Sequence, residues 1–342
     1  MICFAWSEFP QYAARCVGAY VNETDEEVVV VATSPRVPIS GMDELARCKV
    51  LWIEINESRP IEMICGAVPR LLIVSGWATG CFNRFRDEVH SSGGRVIAMV
   101  DNNFLFSIKE CVKALRFRLT LGNRYDAFLV PGLSGVRLLR FYGVDNKKVL
   151  TGMYAADSRI FKSTSALKNR EKKIIYVGQL IERKNVLNMC EAFLRANDGT
   201  WTLEVYGCGK LRTRILEKYG SNVNIKIFDF LQPEMLCAKY AESRVFCLPS
   251  REEHWGLVVH EAALSGCVLL LSDRVGAADD FLTARNGFRF SPNDLEGMVS
   301  SFKRAMSMSD NDLDIAQEES IRLSSRFSLS SFVNSIKQVS RT

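Results

Sequence analysis

The sequence predicts an α/β protein built of two Rossmann-like, doubly wound parallel-sheet domains facing a central cleft. Three observations carry that expectation. Short apolar runs of strand length alternate with amphipathic stretches of helix length throughout the chain. The alternation occurs twice, on either side of a polar stretch rich in Ser, Lys and Arg at Asp157–Lys172. The chain has 342 residues, long for one core and comfortable for two. A parallel sheet is covered on both faces, so its strands read as continuous apolar runs.

In the first half, strands are expected at Ile2–Trp6, Val28–Thr33, Val50–Ile55, Arg70–Ser75, Val96–Val100 and Ala127–Val130. Helical patterns such as Tyr12–Val21 and Ile108–Thr120 lie between them. In the second half the strands read Lys173–Val177, Thr202–Tyr206, Val223–Phe228, Val245–Leu248 and Cys267–Leu271. Helices are expected at about Asn185–Arg195, Lys210–Tyr219, Pro233–Glu242, His260–Ser265 and Asp294–Met308, with a last one at about Phe327–Val339. The domains are then 1–157 and 173–326, joined by the polar stretch as a linker. The N-terminal MICFAWSEFP has no basic flank and no small-residue cleavage site, so it reads as a first strand rather than a signal peptide.

Composition narrows the function classes. Apolar residues make up 47% and charged residues 24%, as in a globular rather than a disordered chain. A net charge of +5 is too small to indicate nucleic acid, and none is expected as a partner. No run of 18 or more apolar residues occurs, so no spanning helix is expected. The 11 cysteines are scattered with no C-x-x-C pair, which excludes zinc-finger spacing and suggests reduced thiols in a cytoplasmic protein. Charge is uneven. Residues 1–62 hold 10 acids against 5 bases, whereas 109–148 hold 9 bases against 3 acids. In that basic segment Lys109, Lys113, Arg116, Arg118 and Arg124 interleave with Val112, Leu115, Phe117 and Leu119. Such a stretch can lie on an anionic membrane at the inner face, or be an ordinary helix with a solvated side.

The strongest chemical signal is SREEHWGLVVHEAALSG, Ser250–Gly266, between two apolar runs. Glu253 on a loop and Glu261 in the following helix can accept hydrogen bonds from sugar and ribose hydroxyls. Trp255, Gly256, Leu257 and Val258 form the turn and helix start between them, where backbone N–H groups favour phosphate. An isolated pair of glutamates would be a helix start complementing the macrodipole. A second stretch, IIYVGQLIERKN, ends in Arg183, Lys184 and Asn185. Between the two lie LEVYGCGKL, whose Gly207 and Gly209 permit a tight turn, and FDFLQPEM, with Phe230 and Leu231.

In this order the segments resemble family 4 glycosyltransferases, the retaining group of the GT-B fold. The likeness covers about Ile174–Met306. It implies a hexosyltransferase that takes a UDP- or GDP-linked sugar to a hydroxyl of a glycan or lipid-linked acceptor, in bacterial surface polysaccharide synthesis, without a metal or other cofactor. By resemblance Lys184 stabilises the departing diphosphate with Gly178, Gln179 and Arg183. Gln179 replaces the arginine usual there. Glu261 holds the ribose, Glu253 the donor sugar, and the Phe228–Leu231 loop with Gly207 the nucleotide. In this family the acceptor hydroxyl is thought to attack from the leaving-group side, so no strong protein base is needed. The last helix is expected to cross back to the first domain.

The first domain should bind the acceptor but departs from the family pattern. WSEFPQYAAR stands where a Gly-rich loop is usual, and MVDNNF lacks the usual histidine, leaving Asp101 or Asn102 as the candidate catalytic group. Ser75–Trp77 could hold a sugar or form a turn. Of the three histidines, His90 reads as structural, His254 could touch the donor sugar, and His260 reads as packing. The only D-x-D-like string, SDNDLD at Asp310–Asp314, reads as an acidic turn opening a helix. Two rivals share the fold: an epimerase or phosphorylase acting without an acceptor, and a non-catalytic scaffold.

Overall fold

A computed structural model describes residues 1–34 and 41–340. The chain divides into two compact units, Met1–Ala155 together with the residues from Phe327 onward, and Ala156–Arg326.

The first unit is built on seven parallel strands: β1 (Ile2–Trp6), β2 (Val28–Ala32), β3 (Lys49–Trp52), β4 (Leu71–Ser75), β5 (Arg95–Met99), β6 (Ala127–Val130) and β7 (Val149–Thr151). Their order is β3-β2-β1-β4-β5-β6-β7, so the winding reverses between β1 and β4. Pleating sends alternate residues to opposite faces. Cys3 and Ala5 enter a core with Phe82, Phe85 and Phe128. Phe4 points the other way, edge-on to Tyr20 of the Gln11–Asn22 helix and stacked on Phe332 of the Leu329–Ser340 helix, with centroids 5.7 and 6.0 Å away. The last helix of the chain therefore covers the first sheet. β7 was not anticipated; its three residues are half-buried or exposed and give no apolar run.

The second unit has six parallel strands: β8 (Glu171–Val177), β9 (Thr202–Tyr206), β10 (Ile225–Phe228), β11 (Ser243–Leu248), β12 (Val268–Ser272) and β13 (Gly287–Phe290). Their order, β10-β9-β8-β11-β12-β13, reverses between β8 and β11. β13 also escaped the sequence reading, because GFRF alternates glycine and a charge with its aromatics.

The expected linker belongs to this unit. Phe161, Leu167 and Arg170 are buried. The Arg170 guanidinium donates to the carbonyls of Ser243, Ser265 and Ser165 at 3.1, 2.8 and 3.0 Å, and to Ser163 Oγ at 2.9 Å. Polar composition suggested solvent; here the buried guanidinium ties the segment to Ser243 and Ser265 of the same unit. Asp310–Ser324 is a helix, opened by a capping box between Ser309 and Asp312, so the SDNDLD acids have a structural task.

Candidate functional site

In doubly wound sheets, ligands bind beyond the carboxyl ends of the strands, where the winding reverses. In the second unit that point lies between β8 and β11. After β8 the chain makes a short 3-10 turn, Glu182–Lys184, and passes through Asn185 in the left-handed region (φ 59°) into the Val186–Ala196 helix. Asn185 Nδ2 donates to the carbonyls of Pro249 and Pro292, at 3.2 and 2.9 Å, tying the loop after β8 to those after β11 and β13. Asparagine tolerates that backbone better than most residues, and its amide is what ties the three loops together.

Lys184 is buried, and its Nζ forms an ion pair with Glu253 Oε2. Glu253 is buried too, and accepts from Ser250 Oγ at 3.2 Å with Arg183 Nη1 at 3.7 Å. Its backbone is pinned as an isolated bridge to Val275, with its N–H on Arg274 O at 3.1 Å. Charges taken out of water need such partners, so the pair is held in place from several sides. Sequence reading named Lys184, Arg183 and Glu253, and the structure brings them together. It gave no role to Ser250, Asn185 or the loop after β12. That loop requires Gly276, where a Cβ would sit 2.1 Å from His254 O.

Beside this pair, the loops after β8 and β9 touch. A Cβ on Gly207 would lie 1.9 Å from Gly178 O, so only glycine lets the two backbones approach so closely. Gln179 is exposed, and its carbonyl accepts from Tyr176 Oη at 2.9 Å. At the end of β10, Phe228 stacks on Tyr206 at 4.7 Å; after it, Phe230 is 39% exposed and Leu231 is half-buried.

The helix after β11 runs Leu257–Leu264, starting before the expected His260 because left-handed Gly256 (φ 94°) turns the chain into it. No side chain caps this helix, so the N–H groups of Leu257 and Val258 stand at an uncapped N-terminus. Glu261 lies within it, buried, and accepts from Tyr240 Oη at 3.0 Å. Burial pushes its carboxyl up to about 7, against the opposing effect of that hydrogen bond. Tyr240 had no spacing signal, since it comes from the neighbouring Pro233–Glu242 helix.

Trp255 offers that turn its backbone alone, because its side chain is turned inward. Its side chain is 1% exposed, donates from Nε1 to Asp280 at 3.2 Å and packs edge-on to Phe281 at 5.3 Å. The indole is part of the core and has no surface for a donor. His260 stacks on Phe281 at 4.9 Å, accepts from Ala156 N at Nδ1 and sits 3.1 Å from Ser324 O at Nε2. Burial lowers it to about 4, so it is a neutral packing residue. His254 is exposed.

In the first unit, Ser7 and Ser75 meet where β1 and β4 end. Ser7 N donates to Ser75 Oγ at 2.8 Å, and the two hydroxyls are 3.0 Å apart. Trp77, for which the sequence left a sugar contact and a turn both open, is half-buried and packs against Phe117 at 5.1 Å beside the core. Asp101 follows β5; together with the larger effect of burial, its charge raises the Tyr12 hydroxyl. His90 Nε2 lies 3.1 Å from Asp126. Among the described residues no helix is long and apolar enough to cross a membrane.

Comparison with known proteins agrees with this geometry. Residues 157–320 match the family model for glycosyl transferases group 1. The glycogen synthase of Mycobacterium tuberculosis is 23% identical over 238 residues, covering 68% of this chain and 51% of that protein. The chain thus spans about half the length of that relative. The solved sucrose-phosphate synthase of Thermosynechococcus elongatus superposes with a TM-score of 0.77 at 13% identity, over 100% of this chain and 98% of that one. The structure of Anabaena HepE in complex with UDP and glucose superposes with a TM-score of 0.76 at 11% identity, over 100% and 99%. The chain therefore has the GT-B fold, and its residues 157–320 belong to the glycosyl transferases group 1 family.

Proposed function

We propose that this chain is a retaining glycosyltransferase that moves a hexosyl group from a nucleoside-diphosphate sugar to a hydroxyl of a glycan or lipid-linked acceptor. A role in bacterial surface polysaccharide synthesis, in the cytoplasm and without a metal or other cofactor, completes the reading. The observation that carries it is the Lys184–Glu253 pair, buried where the winding of the second sheet reverses. That a similar fold holds UDP and glucose supports it.

With donor bound, the Lys184 ammonium would serve the diphosphate and Glu253 the sugar hydroxyls. The pair then exchanges one partner for another rather than gaining a naked charge. As the bond from the anomeric carbon to the diphosphate oxygen breaks, its electron pair stays on the leaving group. Lys184, Arg183 and the uncapped N–H groups of Leu257 and Val258 stabilise the charge that develops there. The acceptor oxygen bonds to the same face of the anomeric carbon, and its proton passes to the departing diphosphate. Gln179 can add a neutral hydrogen bond to the phosphate. Glu261 would accept from the ribose hydroxyls, and Phe230 and Leu231 would flank the base. Asp101 is the candidate positioning group of the first unit.

The test is a thermal-shift screen with nucleoside diphosphates and their sugars, followed by turnover with and without acceptor. A ligand at a hundred times its dissociation constant stabilises the fold by about 2.7 kcal/mol. Specific stabilisation by one nucleoside diphosphate, with acceptor-dependent release of it, is expected. Conversion without any acceptor would point to an epimerase or phosphorylase and sink the transferase reading.

A further inference from the structure

The helix Ile108–Thr120 of the first unit has two faces that ask for different neighbours. Its inner face is narrow: Glu110, Ala114 and Phe117 are buried. Glu110 is satisfied there by the Tyr142 hydroxyl and by Lys113 at 3.1 Å. On the outer face Ile108, Val112, Leu115 and Leu119 are 85, 64, 60 and 77% exposed. At about 100° per residue these four fall within one narrow stripe, opposite the buried face. Phe106, 73% exposed and edge-on to Phe141, lengthens the stripe at its N-terminal end. Lys109, Lys113 and Arg116 run along one border and Arg118 along the other. Among the described residues Lys109 and Arg116 form no ion pair, and residues 106–124 hold five bases and one acid.

We propose that this helix is a docking surface for an anionic lipid bilayer, into which Ile108, Val112, Leu115 and Leu119 insert while the flanking bases engage the headgroups. An apolar stripe of this size, left uncovered on a helix whose other face is already packed, needs an occupant. The charge pattern selects which one. A second copy of the chain laid on the same stripe would set Lys109, Lys113 and Arg116 against their own counterparts, a repulsive arrangement. A surface of anionic headgroups over a hydrocarbon interior satisfies both the border and the stripe. The proposal does not rest on the transferase reading.

The test is cosedimentation of the full chain with large vesicles of equimolar phosphatidylglycerol and phosphatidylcholine, against phosphatidylcholine alone. Binding to the anionic vesicles that weakens with added salt is expected, with little binding to the neutral ones. Reversing two border charges in Lys109→Glu/Arg116→Glu should weaken partition roughly thirtyfold or more. Val112→Glu/Leu115→Glu should weaken it by roughly a hundredfold. Because these side chains are exposed, both variants should keep the parent melting temperature and far-ultraviolet circular dichroism. Three results would overturn the proposal: failure of the parent chain to pellet with anionic vesicles, equal pelleting of parent and variants, or a self-association in sedimentation velocity that either variant abolishes.

Discussion

At the reversal point of the second sheet, Lys184 and Glu253 meet as a buried ion pair beyond β8 and β11. At the corresponding point of the first, Ser7 and Ser75 share a neutral hydrogen bond where β1 and β4 end. The strand order around both points is the same through six strands. Topology therefore supplies a concave place twice, and loop residues decide its chemistry. A buried cation and carboxylate suit a ligand that carries charge and hydroxyls together. A pair of hydroxyls suits neutral partners, and it can be lost at little cost to the fold.

That contrast can be tested, beginning where the largest effect is expected. Lys184→Ala should lower donor turnover by about a thousandfold, the scale of removing a group that meets developing charge. Ser75→Ala, measured in the same assay, should cost less than about tenfold; equal losses would dissolve the distinction. Lys184→Ala also leaves Glu253 buried without its ammonium, so urea denaturation should show a loss of about 3 kcal/mol. Lys184→Met/Glu253→Gln should recover much of that stability and none of the turnover.

The loop backbones should differ likewise. Gly207→Ala forces a Cβ against the Gly178 carbonyl and should destabilise the second unit by about 3 kcal/mol or more. Gly76, at the end of β4, is left-handed (φ 77°) with open space around its Cβ direction. Gly76→Ala should therefore cost only the backbone strain, about 1 kcal/mol, which separate melting of the two variants would show.

Glu261 adds a pH signature to the second unit. Its folded carboxyl sits at about 7, above an ordinary 4.5, so the fold binds a proton that the unfolded chain releases between those values. This contribution is complete below about pH 4.5 and is lost as pH rises through about 7. His260 acts with the opposite sign, because its depressed value of about 4 favours the fold as pH rises from there towards 6.5. Glu261→Gln should unmask the His260 effect as a steeper rise in stability with pH. If ribose hydroxyls donate to Glu261, nucleotide affinity should strengthen as pH rises through about 7, and Glu261→Gln should flatten that dependence in calorimetry.

The smallest effect is expected at Asp101. Asp101→Asn should slow turnover by about tenfold or less, because same-face attack asks for no strong base. A loss as large as that of Lys184→Ala would move the chemistry towards the first unit.

Much of the fold was legible because a strand buried on both faces must be apolar throughout. Ile2–Trp6, Ala127–Val130 and Thr202–Tyr206 lie where their runs predicted. β7 and β13 were not legible: one is short and half-exposed, the other carries glycine and arginine among its aromatics. In the site, Lys184, Glu253 and Glu261 could be named from their order along the chain. Asn185 and Tyr240 could not, since each gains its role from a neighbour far away in sequence, and Ser250 reaches Glu253 only through the fold of the loop that holds both. Trp255 shows the converse, a residue beside the site in sequence whose indole lies in the core.

The amino-acid sequence by itself determined the alternation of strand and helix, the glycines at loops that approach closely, and which acids and bases were available. Hydrophobic periodicity and backbone freedom are local properties, and they read locally. Only the tertiary structure decided that Glu253 would pair with Lys184 while Glu261 took a tyrosine hydroxyl, and that Asp157–Lys172 would pack instead of linking. It also decided that one face of Ile108–Thr120 would stay uncovered. Burial, pairing and exposure depend on what the rest of the chain brings alongside a residue, and no window of sequence contains that.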